Sequence, residues 1–207
     1  YGMGSARFKD QIKSLGVDVT DEEAKMIIKT YRSTNSAITK LWREAQNTLN
    51  GLYQGLYTNL GLKGVLKVEP NEKAIRLPSG LFMYYPDLKG DETERGLEFT
   101  YKTRRGRVKI YGGKVVENIC QGIARCIMAD QMVRISKHYR VLLTVHDSVI
   151  CCVQDSEVDE AAAYVSECMR WTPEWANTLP VRGDVEVGKN YGECVEWKPS
   201  QHGRSAA

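Results

Sequence analysis

The stretch "LLTVHDSVICCV", residues 142–153, decides how the second half of this chain is read. Two runs rich in apolar and β-branched residues, Leu142–Val145 and Val149–Val153, are split by His146, Asp147 and Ser148. Short runs of this kind around a polar break predict antiparallel strands near 140–146 and 149–153, joined as a hairpin. Asp and Ser suit a turn because their side chains can bond the nearby backbone. The histidine ahead of them, and apolar residues pressing from both sides, are not explained in that way. An ionised carboxylate in an apolar setting needs a partner. Mg²⁺ is one candidate, because it takes carboxylate oxygen, keeps several waters, and suits one Asp on a rigid strand end. From these residues alone both readings stay open, a turn Asp bonding its own backbone or a metal ligand.

Working outward, "GGKVVENICQGIARCIMADQMVRISKHY", residues 112–139, is the strongest helical pattern. Val116, Ile119, Ile123, Ile127, Met128, Val133 and Ile135 keep a 3.6-residue period along it. Beyond the hairpin, residues 157–171 give another amphipathic helix through Val158, Ala161, Ala162, Val165 and Met169. "LPVRGDVEVGKNYG" then reads as a last alternating strand. At the other end, Thr20 with Glu23 forms a capping box, followed by a stripe of Ala24, Ile27, Ile28 and Tyr31. A second helix carries Ile38, Leu41, Trp42, Ala45 and Leu49, with Asn50 and Gly51 expected to stop it. Between residues 57 and 111, short β-rich runs alternate with Pro-Asn, Pro-Ser-Gly and Lys-Gly-Asp turns. The order predicts an α+β chain: helices over 1–56, an antiparallel sheet or hairpin with packed helices over 57–197, and a disordered tail over 198–207.

Composition fits a soluble globular protein, with 42% hydrophobic and 27% charged residues among 207. A net charge of +3 means that any affinity for nucleic acid must come from local clustering. The six cysteines form no CxxC pair, and three lie inside apolar runs, a pattern that predicts reduced, buried thiols and a cytoplasmic location. No apolar run approaches the roughly 18 residues of a membrane span, and no signal-peptide pattern is recognisable, so neither export nor membrane insertion is expected. The chain begins with Tyr1 and is expected to be cut from something longer.

Two further features could carry chemistry. Glu117, Gln121 and Arg125 recur every four residues as a polar stripe on the long helix, with Asn118 beside it and Gly122 permitting close approach. Residues 101–114, "YKTRRGRVKIYGGK", hold Lys102, Arg104, Arg105, Arg107, Lys109 and Lys114 with no acidic residue. Such a segment can neutralise backbone phosphates, or it can be a charged solvated hairpin.

The order of the motifs distinguishes these readings: "YGMG", helices, "RLPSG", "YGGKVVENICQGIAR", "VHDSVICCV", then "LPVRGDVEVGKNYGE". This chain closely resembles the C-terminal part of family A DNA polymerases, particularly the bacteriophage type, across most of residues 1–195. The resemblance implies a palm subdomain over 57–197, preceded by the rear part of a helical fingers subdomain. It implies that Asp147, at the hairpin tip, is a catalytic metal ligand for a two-Mg²⁺ site, with His146 its catalytic neighbour. Ser148 stands where many members have Glu. Gln121 matches the palm-helix Gln that reaches the primer–template minor groove, and Asn118 matches its Asn. Arg76 resembles a family arginine near the primer–template, while Tyr1 and Gly2 resemble the end of the helix that closes on the nascent base pair. With Arg104, Arg105 and Arg107 as phosphate contacts, the implied partners are primer–template DNA, dNTP and an upstream polymerase polypeptide, with no membrane. The family's other metal-binding Asp, and the cations that hold the triphosphate, lie upstream of the "YG" motif. The implied function is templated nucleotide addition to a DNA 3′ end. The alternatives are a non-catalytic DNA-binding chain of a split polymerase, or a metal-dependent nuclease with a second acidic cluster.

Overall fold

The computed structural model describes residues 2–61, 64–94 and 96–198. It is an α+β chain of small antiparallel sheets and packed helices, in two compact units that divide between Ile123 and Ala124. Residues 199–207, the expected tail, lie outside the described residues.

The first unit opens with α1 (Ser5–Ser14), α2 (Asp21–Thr34) and α3 (Ser36–Gln54). The capping box at α2 forms as expected: Thr20 N donates to Glu23 Oε2 at 2.8 Å, and Glu23 N to Thr20 Oγ1 at 3.2 Å. Together these bonds satisfy two of the free donors at the helix start. α3 does not stop at Asn50 and Gly51. It runs on to Gln54 and ends where Gly55 turns left-handed, φ +78°. Gly51 stays helical because the returning chain lies over it, Thr58 Cγ2 sitting 2.5 Å from where a Cβ would be.

Six strands follow in two sheets: β1 (Lys67–Glu69), β2 (Ala74–Arg76) and β3 (Phe82–Tyr84), then β4 (Lys89–Thr93), β5 (Gly96–Thr103) and β6 (Gly106–Ile110). α4 (Gly112–Ile135) follows and crosses the division between the units. The first core joins Ala45, Leu49 and Leu52 of α3 to Val68, Ile75, Tyr85, Phe99 and Ile110 of the sheets and to Val115, Val116 and Ile119 of α4. Each sheet sends alternate residues into this core, so one face of each is core.

The second unit holds the rest of α4, β7 (Val141–Val145), β8 (Ser148–Cys151) and α5 (Val158–Arg170). Gln131 on α4 is buried and donates to two carbonyls that close α5, Met169 O at 2.8 Å and Trp171 O at 2.9 Å. The expected final strand shrinks to Glu186–Val187, β9, paired with Val195–Glu196, β10. At Gly188 the returning chain passes so close that a Cβ would meet Cys194 Cα at 2.9 Å, so the alternation ends there.

Two sequence expectations change. Ile27, Tyr31, Ile38 and Val133, read as core stripe positions, are exposed, because a helical period marks an apolar face without supplying a layer to cover it. All six cysteines are free, but only Cys126 and Cys168 are buried. Among the described residues, no helix is long and apolar enough to cross a membrane.

Candidate active-site hairpin and nucleic-acid interface

β7 and β8 pair antiparallel through Val145↔Ser148, Thr144↔Val149 and Leu143↔Ile150, leaving His146 and Asp147 as a two-residue loop. The register then shifts, with Val141 opposite Cys151, so Leu142 bulges from the ladder. His146 adopts φ +54°, the sign that tight hairpin turns require, although most residues with a Cβ avoid it. Holding a non-glycine residue there costs about 1–3 kcal/mol, strain of a kind that concentrates at functional turns. His146, Asp147 and Ser148 are all exposed.

The expected apolar squeeze on Asp147 is absent. Leu142 and Leu143 are 50% and 51% exposed, so the flanking strands are only partly covered. Nor does the carboxylate fold back on its own turn: among the described residues no hydrogen bond or ion pair engages it. Likewise no group of three or more His, Cys, Asp or Glu gathers among those residues. Mg²⁺ does not require such a cage, since one or two carboxylates, water and substrate phosphate suffice. An unengaged, exposed carboxylate on a rigid two-residue turn fits that donor set.

In the first unit, the start of α4 is fixed by α3. Gln46 Oε1 accepts from Gly112 N at 2.8 Å, replacing one missing intrahelical partner. Gly112 lies so close to α3 that a Cβ would stand 2.1 Å from the Trp42 carbonyl oxygen. Further along, Leu77 and Met83 fill the space over Gly122, at 3.1 and 3.2 Å from a Cβ there, so core side chains use the close approach expected at this glycine. The polar stripe divides. The half-buried Asn118 donates from Nδ2 to the Tyr85 hydroxyl at 3.4 Å, and Glu117 pairs with Lys114 at 2.7 Å. Gln121 is exposed, with no partner among the described residues. Burial pushes the Tyr85 phenol up to about 12, partly opposed by the Asn118 hydrogen bond.

The basic segment is the β5–β6 hairpin, with Arg104 and Arg105 at its tip. Its cations separate into two sets. Arg107 is committed within the fold: Nη1 donates to Asp87 Oδ2 at 2.5 Å, and Nη2 to Asp87 O at 2.7 Å and Thr100 O at 3.0 Å. Lys109 pairs with Glu98 at 2.6 Å. Lys102, Arg104 and Arg105 are exposed, with no ion pair among the described residues. Arg76 is also exposed, its guanidinium carbon 5.9 Å from the Phe82 ring centroid. Gly2 sits at φ +71° beside Tyr111, and both border a groove of about 430 Å³ with Arg32, Trp42 and Arg43. Tyr1 lies outside the described residues.

Sequence reasoning missed Asp87, Tyr85 and Gln46. Asp87 and Tyr85 flank Pro86 and look like ordinary turn chemistry, and Gln46 looks like an exposed helix position. Gln46 sits one place after Ala45 and three before Leu49 on the apolar stripe, the one available hint that its amide faces inward.

Residues 1–193 match the sequence pattern of DNA polymerase family A. The chain is also similar to a DNA polymerase of Bacillus phage SP02, 28% identical over 192 residues, covering 87% of this chain and 29% of that relative. It therefore spans under a third of the length of the relative it matches. No solved structure matches. With the motif order of the α4 helix and the β7–β8 hairpin lying inside the matched span, the chain belongs to DNA polymerase family A.

Proposed function

We propose that residues 1–207 are a C-terminal segment of a template-directed DNA polymerase, with Asp147 supplying one of its two catalytic carboxylates. The observation that carries this reading is the hairpin tip: a carboxylate on a two-residue loop, exposed and unengaged, beside a backbone held at positive φ. Family membership supports it, and the metal role itself comes from the family resemblance.

In this reading the helices up to α3 are the rear of the fingers and the remainder is palm. Asp147 would hold Mg²⁺, which when bound offsets the negative charge of the reacting phosphates. His146 shapes the turn and presents the carboxylate. Its exposed ring is also available to the primer end. Gln121 is free to donate to the acceptors that all correct base pairs present in the minor groove. Asn118, beside Gln121 in the same proposed minor-groove role, also steadies α4 through the Tyr85 hydroxyl. Arg104, Arg105 and Arg76 offer their charge to backbone phosphates, whereas Arg107 holds its own hairpin together. The second carboxylate and the triphosphate-binding cations belong to polymerase sequence outside these residues.

The test is Asp147→Asn in a complete polymerase containing this segment. Loss of a metal-bridging charge should slow extension about a thousandfold, equal to about 4 kcal/mol of barrier. Primer–template affinity should be kept, since the phosphate contacts lie on other elements. Near-normal turnover in Mg²⁺ refutes the assignment.

A further inference from the structure

The β1–β2–β3 sheet buries Val68 and Ile75 on one side, with Met83 packed against the same core. The cross-strand row Lys67–Arg76–Phe82 therefore lies on the opposite side. Tyr84 shares that side two residues along β3, and its ring is tilted 31° against Phe82 with centroids 5.5 Å apart. Phe82 and Tyr84 are 36% and 52% exposed, and neighbouring Leu81 is 69% exposed. Arg76 lies against the Phe82 ring, and neither Arg76 nor Lys67 has an ion pair among the described residues. Glu69 occupies the same face in the next row, where Ala74 is fully covered. Among the described residues β3 pairs only with β2, so the aromatic pair stands at a sheet edge.

We propose that this face is a stacking platform for unpaired bases of single-stranded DNA. Aromatic rings at a sheet edge, with Arg76 one strand away and Lys67 two, match both things that a single strand offers, π faces and phosphates. A duplex offers only the second, because its base faces are already stacked. An apolar protein partner would leave Arg76 and Lys67 desolvated without acceptors, so the charge selects a polyanion. The inference rests on reading the chain as a DNA-handling segment, yet it requires no catalysis.

The experiment measures binding of a fluorescent single-stranded oligonucleotide and of a blunt duplex to residues 1–207. Variants are Phe82→Leu with Tyr84→Leu, which keep apolar bulk and remove the rings, and Phe82→Trp, which keeps the stacking face. Circular dichroism checks that each variant folds. The double leucine variant should lose about tenfold or more in single-strand affinity, duplex affinity should change little, and the Trp variant should bind as well as the parent. Arg76→Gln should weaken single-strand binding and reduce its salt slope by about one unit. Unchanged single-strand affinity in the leucine variant overturns the platform. So does equal loss on duplex, or a change only in self-association, which would make this face a contact between copies. Asp147→Asn should leave oligonucleotide binding intact, so failure of the catalytic reading and failure of the platform give different results.

Discussion

Gly112→Ala is the sharpest perturbation of the scaffold that carries Gln121. A methyl group at this position would stand 2.1 Å from the Trp42 carbonyl oxygen, 2.8 Å from Gln46 N and 3.1 Å from Gln46 Cβ. Two of these are backbone atoms of α3, so relief demands that α3 and α4 separate by about an ångström. Overpacking of this kind costs about 1–3 kcal/mol, and an approach so far inside contact belongs at the upper end. Separation also breaks the Gly112 N–H bond to Gln46 Oε1, about 1 kcal/mol more. Better helix propensity returns less than about 1 kcal/mol. The net expectation is a loss of about 3 kcal/mol. Gly122→Ala provides the contrast: its contacts are the flexible ends of Leu77 and Met83, so strain and propensity nearly cancel. Urea unfolding followed by far-ultraviolet circular dichroism should show the Gly112 variant's midpoint falling by about 1–3 M, with the Gly122 variant close to the parent. A Gly112→Ala loss below about 1 kcal/mol refutes the close packing of α3 on α4.

Other outcomes follow from the same geometry. Arg104→Ala and Arg105→Ala should each lower the salt slope of primer–template binding by about one unit, with stability unchanged. Arg107→Ala should instead destabilise, because Asp87 and Thr100 lose their shared donor; urea titration beside a salt series separates the two effects. The Tyr85 phenol, raised to about 12, keeps its proton where free tyrosines have lost theirs. Its contribution to stability is complete below the unfolded pKa of about 10 and disappears as pH rises towards 12. In ultraviolet titration of the folded protein, Tyr85→Phe should remove absorbance change at the alkaline end only. Residues 1–207 alone should add no nucleotide above background with Mg²⁺ or Mn²⁺, since positioning and charge stabilisation carry phosphoryl transfer and half of each lies elsewhere. Templated extension by this chain, abolished by Asp147→Asn, would mean that a second carboxylate within it completes the site.

Local interactions made much of this protein legible from sequence. The Thr20–Glu23 box, the long helix from Gly112, the β7–β8 hairpin and the β5–β6 hairpin each depend on residues a few positions apart and form where the sequence places them, the helix ending at Ile135 and not at 139. Motif order likewise carried the family. What the sequence could not contain was the choice among chemically equal partners. Of six cations in the basic segment, the fold commits Arg107 to Asp87, twenty residues away, and leaves Arg104 and Arg105 at the tip. Of two neighbouring polar residues on α4, it turns Asn118 to Tyr85 and leaves Gln121 outward. Periodicity similarly could not say which apolar stripes find a cover: Leu49 is fully buried while Ile27 on α2 is 41% exposed. Such outcomes depend on which surfaces meet after the chain closes over long separations. A side chain's partner is then fixed by a neighbour that no local window includes.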